Sequence, residues 1–242
     1  MHIDPSTAPP LAIYKLLIGC VVPRPIAWVS TVGPDGVYNL APFSFFMAIT
    51  NDPPTLAFSS GPRSADVGGA RLPTVVEERP GFPGALPSAG GGGGHLGAPT
   101  SLVNKDTVVN VEATGEFVVN VVDDVLAEAM NLTSGEYPPD VDEFTLAGLA
   151  SAPSVKVKPP RVADAPIAME CRLAQVIPVG RGPHSLVIGE VVHFYIRDDV
   201  YDSATGRVDL HRLKPVGRLA GEMYTHVHDI FTMKRPNPRY AG

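Results

Sequence analysis

The segment VPRPIAWVSTVGPDGVYNLAPFSFFMAITNDPPTLAFSS, residues 22–60, decides how the rest of the chain folds. Its β-branched and aromatic residues predict one strand over 26–32 and a second over 37–40. The turn residues Gly33-Pro34-Asp35-Gly36 lie between them and predict an antiparallel hairpin. A third strand is predicted over 55–59, after a proline break.

The chain on either side of this segment continues in short strands and turns with few helices. This alternation predicts a mainly β fold, an antiparallel barrel with a few short helices. Gly115 should end the first helix, and Asp106 is its predicted N-cap. The predicted strands cover 117–122, 168–177 and 185–196, and the predicted helices cover 107–114, 125–132 and 142–149.

The length of 242 residues suits a single domain with additional segments outside its core. We expect a flexible lead-in at 1–13, a single domain over 14–232 and a loose tail at 233–242. A Pro/Gly-rich insertion is predicted at 62–104, and its glycine run at 90–94 lacks the GK[ST] ending of a phosphate loop.

Composition excludes several classes of function. Hydrophobic residues make up 44% of the chain, enough for a core, while the net charge of −6 argues against nonspecific nucleic-acid binding. The N-terminus does not resemble a signal peptide and no apolar run could span a bilayer, so we expect a cytoplasmic protein without membrane contact. Cys20 and Cys171 lie far apart in sequence and are expected to be buried free thiols.

The titratable residues form no catalytic constellation, so no catalytic side chain is predicted. Among seven histidines only His226 and His228 are close in sequence, on one face of a possible strand. Metal binding by this pair would need at least one more ligand, so no metal site is predicted and a polar surface is the expected role.

Small polar residues instead accompany aromatic ones in the first half of the chain. Hydroxyl and amide groups could bind a polar heterocycle, prolines and phenylalanines could cover its faces, and Lys105 with Thr107 at a helix start could hold a phosphate. The alternative, in which these are strand-end polar groups and core aromatics, stays open from the residues alone. The polar group comprises Ser30, Thr31, Asn39, Ser44 and Ser59, and the covering group comprises Pro42, Phe43, Phe45 and Phe46.

A series of motifs, in order, resembles the flavin reductase-like family of FMN-binding split barrels. The first half carries PRPIAWVST at 23–31, NLAPFSFF at 39–46, and KDT-x-x-N-x-E-x-x-G-E-F-V-V-N at 105–120. The second half carries further landmarks, among them Pro159-Pro160-Arg161 and Arg218-Leu219-Ala220-Gly221-x-x-Tyr224. The resemblance spans about residues 20–224. The sequence departs from the family pattern in the insertion at 62–104, where family members generally have a short connection.

The resemblance implies a Greek-key split β-barrel, usually a homodimer, that holds FMN near the dimer interface, with FAD as a possible substitute. It places Ser30 and Thr31 near the flavin, Ser59 and Ser60 beside the ribityl-phosphate, and Tyr224 near the ring. The ring contacts would come from Asn39, Leu40, Ala41, Pro42, Phe43 and Ser44, and the phosphate contacts from Lys105, Asp106 and Thr107.

The implied activity is hydride transfer from NAD(P)H to flavin, then onward to a flavin, oxygen or a partner monooxygenase. Two alternatives stay open: an FMN-binding electron carrier without reductase activity of its own, and a dimeric scaffold without cofactor.

Overall fold

The predicted hairpin forms in the structure, a computed structural model that describes residues 1–64, 102–180 and 182–236. Strand β1, Ala27–Val32, pairs antiparallel with β2, Tyr38–Phe43, and Val32 lies opposite Tyr38 across the turn. Gly36 has a φ of +88°, a conformation that favours glycine, so this residue lets the chain reverse.

The hairpin is one edge of a seven-stranded antiparallel sheet with the order β2-β1-β7-β10-β11-β4-β3. After β1 and β2, the strands in chain order are β3 Phe46–Asn51, β4 Pro54–Ser60, β5 Arg63–Ser64, β6 Leu102–Val103, β7 Glu116–Asn120, β8 Ser151–Ala152, β9 Arg161–Val162, β10 Ile167–Val179, β11 His184–Ile196, β12 Tyr201–Asp202, β13 Arg207–Val208, β14 Val216–Arg218 and β15 Tyr224–His226. The helices are α1 Pro10–Cys20, α2 Asp106–Thr114, α3 Ala127–Leu132, α4 Glu143–Leu146 and α5 Leu210–Leu213, with a 3₁₀ turn at Asp198–Val200.

The sheet curls into a barrel, because residues near its two edges meet in one core. The ring of Phe43 on β2 lies 4.8 Å from that of Phe58 on β4, and Phe58 contacts Phe117 on β7 edge-on at 5.6 Å. Gly189 on β11 permits this packing, since a Cβ there would lie 2.4 Å from the Phe117 ring. The fold class predicted from the sequence is therefore the observed one: mainly β with a few short helices.

Several element boundaries differ from the predictions. Strand β3, at the free edge of the sheet, was not predicted, and helix α1 begins at Pro10, inside the stretch expected to be a flexible lead-in. Lys105, not Asp106, is the N-cap residue of α2, and Asp106 is the first residue of the helix. Its carboxylate accepts a hydrogen bond from Arg63 instead.

The predicted insertion begins and ends in paired strands. Within 62–104, β5 pairs antiparallel with β6, so that Arg63 lies opposite Val103 and Ser64 opposite Leu102. Residues 65–101, which include the glycine run, lie outside the described residues, as do 237–242 of the predicted tail.

Two further expectations concerned the state of the two cysteines and the absence of a membrane-spanning segment. Both cysteines are free thiols, but only Cys171 is buried, whereas Cys20 is exposed at the end of α1. Among the described residues, no helix combines the length and the apolar character that crossing a bilayer requires.

Candidate functional site

A cavity of about 330 Å³ opens between α1, the end of β2 and the β14–β15 pair. A cavity of this size is at the lower end of the range for small-molecule sites, about 300–1,000 Å³. A smaller recess adjoins it and shares Pro42, Lys105 and Ser134. The larger cavity is lined by Tyr14, Ile18, Arg24, Ile26, Pro42, Ser44, Phe45, Lys105, Met130, Ser134, Arg218, Gly221 and Tyr224.

Arg63 is the main charged group of the recess. The side chain of Arg63 is only 4% exposed, and its Nη1 donates to Asp106 Oδ2 at 2.5 Å and to the Tyr137 carbonyl at 3.1 Å. Its Nε and Nη2 atoms are buried without a hydrogen-bond partner among the described residues. Buried guanidinium donors are rarely left unpaired, so these two atoms point to an acceptor supplied by a ligand.

Lys105 adds a second cation to the same recess. Burial lowers the pKa of Lys105 and the nearby Arg63 charge lowers it further, while Glu136 acts in the opposite direction. Burial raises the pKa of Asp106, and the charge of Arg63 and its hydrogen bond oppose that rise. Arg63 and Lys105 thus lie together with one carboxylate in direct contact, and an anion would relieve their repulsion.

A buried polar network forms the far wall of the recess. Asn39 Oδ1 accepts a hydrogen bond from Thr107 Oγ1 at 2.7 Å, and Asn39 Nδ2 donates to Glu143 Oε1 at 2.9 Å. The backbone N–H of Leu40 donates to the other Glu143 oxygen at 3.0 Å. Burial raises the pKa of Glu143 to about 7, against the lowering effect of these hydrogen bonds.

Glu143 is held in place by the start of α4. Asp142 caps this helix, because its carboxylate accepts hydrogen bonds from the backbone N–H groups of Phe144 and Thr145. The cap fixes the first turn and directs Glu143 toward β2. Helix α4, through Glu143, and helix α2, through Thr107, therefore hold the Asn39 amide between them.

The β14–β15 pair and α1 form the mouth of the larger cavity. Tyr224 OH donates to Asn131 Oδ1 at 2.9 Å, and the guanidinium of Arg218 lies 4.3 Å from the centre of the Tyr224 ring. Arg24 is buried and donates from Nη1 to the carbonyls of Ile18 at 2.8 Å and Val21 at 2.7 Å, which fixes the end of α1. The mouth thus combines an aromatic ring with two arginines.

The structure brings eight of the predicted cofactor residues to the walls of these two spaces and leaves six elsewhere. Ser30 is buried, where its Oγ donates to the Pro160 carbonyl at 2.5 Å, and Thr31 Oγ1 accepts from Asn110. The wall residues are Asn39, Ala41, Pro42, Ser44, Lys105, Asp106, Thr107 and Tyr224. The residues that do not line either space are Ser30, Thr31, Leu40, Phe43, Ser59 and Ser60.

Sequence reasoning missed five charged wall residues: Arg24, Arg63, Glu136, Glu143 and Arg218. Arg63 follows Ser60 by three residues at the end of β4, and a cation so near a strand end was the available signal. It was overlooked because the segment from 62 onward was assigned to the insertion. Glu143 was assigned to a helix and to one of the family landmarks, but not to the site.

The residues present fit a flavin mononucleotide. The phosphate group matches the unpaired donors of Arg63 and the buried Lys105, and the larger adjoining cavity offers Tyr14, Phe45 and Tyr224 as walls for a flat ring. The site thus combines a recess that can bind an anion with an adjoining larger cavity that has aromatic walls.

Comparison with known proteins adds three findings. A family model described as flavin reductase like domain matches residues 18–211. An uncharacterised protein of Halalkalibacterium halodurans is 36% identical over 240 residues, which cover 98% of this chain and 97% of that protein. The crystal structure of nitrilotriacetate monooxygenase component B from Bacillus cereus superposes with a TM-score of 0.77 at 30% identity, over 96% of this chain and 98% of that one.

A structure with a split barrel domain from Shewanella frigidimarina bears on the fold alone. It superposes with a TM-score of 0.71 at 17% identity, over 98% of this chain and 100% of that one. The split-barrel fold expected from the sequence is therefore confirmed.

Proposed function

The chain belongs to the flavin reductase-like domain family, and from this premise we propose that it is an FMN-binding oxidoreductase. Its reductant is NADH or NADPH, and its acceptor is a free flavin, oxygen or a partner oxygenase. FAD fits the same proposal if its additional nucleotide extends out of the cavity mouth.

The observation that carries the proposal is that Arg63 Nε and Nη2 are buried without a hydrogen-bond partner in the part of the chain that the structure describes. A phosphate ester offers several strong acceptor oxygens, so it can accept from Arg63 Nε and Nη2 together while Lys105 contributes charge. A neutral ligand would leave Asp106 as the one carboxylate in direct contact with these two buried cations, whereas a phosphate would add the further negative charge and the acceptors that Arg63 lacks.

The other residues orient the ligand rather than react with it. When bound, FMN supplies the hydride acceptance and donation that the side chains of this chain cannot provide. Asn39 is locked by Thr107 and Glu143, so its position does not have to be ordered on binding. Tyr224, held by Asn131 and Arg218, would cover one side of a bound ring at the cavity mouth.

A homodimer is the proposed assembly. Strand β3 is an edge strand with exposed apolar side chains, Met47 at 57% and Ile49 at 46%, and α1 exposes Leu16 and Leu17. Such a surface is unusual for a monomer and suits a second copy of the chain. Because Tyr14 of α1 and Phe45 before β3 line the larger cavity, this interface would lie beside the site.

One of the similar structures supports one choice of acceptor. The Bacillus cereus structure is, by its name, one component of a monooxygenase. An oxygenase partner that takes electrons or reduced flavin from this chain is therefore the acceptor we favour.

The test is an absorbance titration of the flavin-free protein with FMN and FAD, followed by anaerobic addition of NADH or NADPH. We expect FMN to bind and its absorbance to be bleached by one of the two reductants. Binding without bleaching by either would replace the reductase with the electron-carrier alternative. An absence of flavin binding would overturn the proposal and favour the scaffold.

A further inference from the structure

Three residues with metal-binding side chains meet on the surface next to the β14–β15 pair. Asp124 follows β7, whereas His226 ends β15 and His228 lies two residues farther on. His226 Nδ1 lies 2.6 Å from Asp124 Oδ1, and His228 Nε2 lies 3.0 Å from Asp124 Oδ2. From the sequence, metal binding by the two histidines needed at least one further ligand. The fold supplies it, because it places the Asp124 carboxylate, about one hundred residues earlier in the chain, next to both of them.

The backbone holds these three side chains together. The N–H of Asp124 donates to the Lys214 carbonyl at 3.2 Å, and that of Val227 donates to the Pro215 carbonyl at 3.2 Å. In an extended chain, side chains two residues apart lie on the same face, so both imidazoles point the same way. Their rings stack with centroids 5.1 Å apart.

The spacing of the donor atoms suits a metal ion. One nitrogen from each histidine and one carboxylate oxygen lie within 4.8 Å of one another. Ligand atoms on a tetrahedral zinc ion are separated by about 3.3 Å, given bond lengths of about 2.0–2.2 Å. The separations between donor atoms would therefore have to shrink by at most about 1.5 Å for all three to reach one ion, which side-chain rotation at an exposed site can supply.

We propose that Asp124, His226 and His228 bind a divalent transition-metal ion, with zinc as the best match. Two imidazoles and one carboxylate are a ligand set used by zinc, and the exposure of both histidines leaves room for water as the fourth ligand. This site is separate from the proposed flavin site, since none of its three residues lines either space described above.

The ion would fasten the segment after β15 to the connection that follows β7. Without metal, His226 and His228 can hold Asp124 only through exposed hydrogen bonds, which are weak. A coordinated ion would join the two segments more firmly and would brace β15, which carries Tyr224 two residues before His226.

The test uses the untagged full chain after treatment with EDTA. Calorimetric titration with ZnCl₂ should give one site per chain, and Co²⁺ should give the visible absorption of a tetrahedral ion. At a hundredfold excess of free zinc over Kd, we expect the melting temperature to rise by about 5–10 °C. Asp124→Asn and His228→Ala should each weaken zinc binding at least about tenfold.

His211→Ala is the matched control, because His211 is exposed on α5 and is not part of the cluster. It should leave zinc binding unchanged. The readout in every variant is the difference in melting temperature with and without zinc, so lost hydrogen bonds alone do not move it. Absence of a one-to-one site, or zinc binding that survives both cluster variants, would overturn the proposal.

Discussion

Arg63 is held in the recess through Nη1, while its Nε and Nη2 atoms, with three N–H donors, have no partner among the described residues and are left for a ligand. We expect Arg63→Ala to weaken FMN binding about 30–100-fold, the loss of about 2–3 kcal/mol for a charge-assisted contact. Riboflavin, which lacks the phosphate, should lose little affinity. Fluorescence titration of both ligands measures the difference.

Arg207→Ala serves as the matched control for this variant, because Arg207 is exposed on β13. It should leave both affinities unchanged. An equal loss of riboflavin and FMN affinity in Arg63→Ala would mean that the arginine shapes the ring site and does not hold a phosphate.

Glu143 makes the stability of the folded protein depend on pH. Its pKa rises from 4.5 to about 7, so the folded state holds the proton more tightly than the unfolded chain does. This contribution to stability is complete below about pH 4.5 and is lost as the pH rises through about 7. The total loss is about 3 kcal/mol, at about 1.4 kcal/mol for each unit of pKa.

Glu143→Gln removes this titration and keeps a side chain of the same shape. We expect the free energy of unfolding of the natural protein, measured relative to Glu143→Gln, to fall as the pH is raised from 4.5 to 8. Urea denaturation at several pH values measures it. A constant difference across this range would rule out a protonated Glu143.

The residues of the site were predictable in part. Asn39, Lys105 and Thr107 lie in motifs of fixed spacing, and all three line the recess. Ser30 and Thr31 share such a motif but are buried in side-chain hydrogen bonds, because the motif does not tell which polar groups a neighbouring segment will satisfy. Arg63 is held in the recess by contacts with segments that are distant in sequence: β5 pairs with β6, and its guanidinium donates to Asp106 and to the Tyr137 carbonyl.

At the scale of elements, the edge strand β3 decides how copies of the chain would meet. Changing Met47 and Ile49 together to aspartate places charges on the proposed interface, so we expect the double variant to be monomeric. Light scattering after size-exclusion chromatography measures the mass. The same pair of changes at exposed Val125 and Val155 is the control and should leave the mass unchanged.

If the natural protein is already monomeric in that measurement, the proposed dimer is wrong.

Strand β3 could not be predicted because the sequence NLAPFSFF, which leads into it, was interpreted as a single ligand-binding surface. In the structure, the chain turns at Ser44 and Phe45 and continues as a strand, so that a single motif contributes to β2, a turn and β3. The longer strands β10 and β11 were predictable because their β-rich runs extend over many residues.

At the scale of the whole molecule, the β5–β6 pair brings the two ends of the insertion together. Ser64 lies opposite Leu102, so a two-residue turn such as Asn-Gly can replace residues 65–101. We expect this shortened chain to fold and to bind FMN within about threefold of the natural affinity. Circular dichroism and FMN titration measure the two properties.

A shortened chain that folds but no longer binds FMN would show that residues 65–101 supply part of the site. Arg63→Ala in the shortened chain is the internal control, and it should weaken FMN binding as it does in the full chain.

The same strand pair has an evolutionary consequence. Arg63 and Lys105 are positioned by β4, by the β5–β6 pair and by the start of α2, so if the shortened chain keeps its FMN affinity, the number of residues between the two short strands is free of geometric constraint from the site. Insertions and deletions can therefore accumulate there without altering the two cations. We expect members of the family to vary most in length at this point, and new segments acquired there would be placed next to the site from the outset.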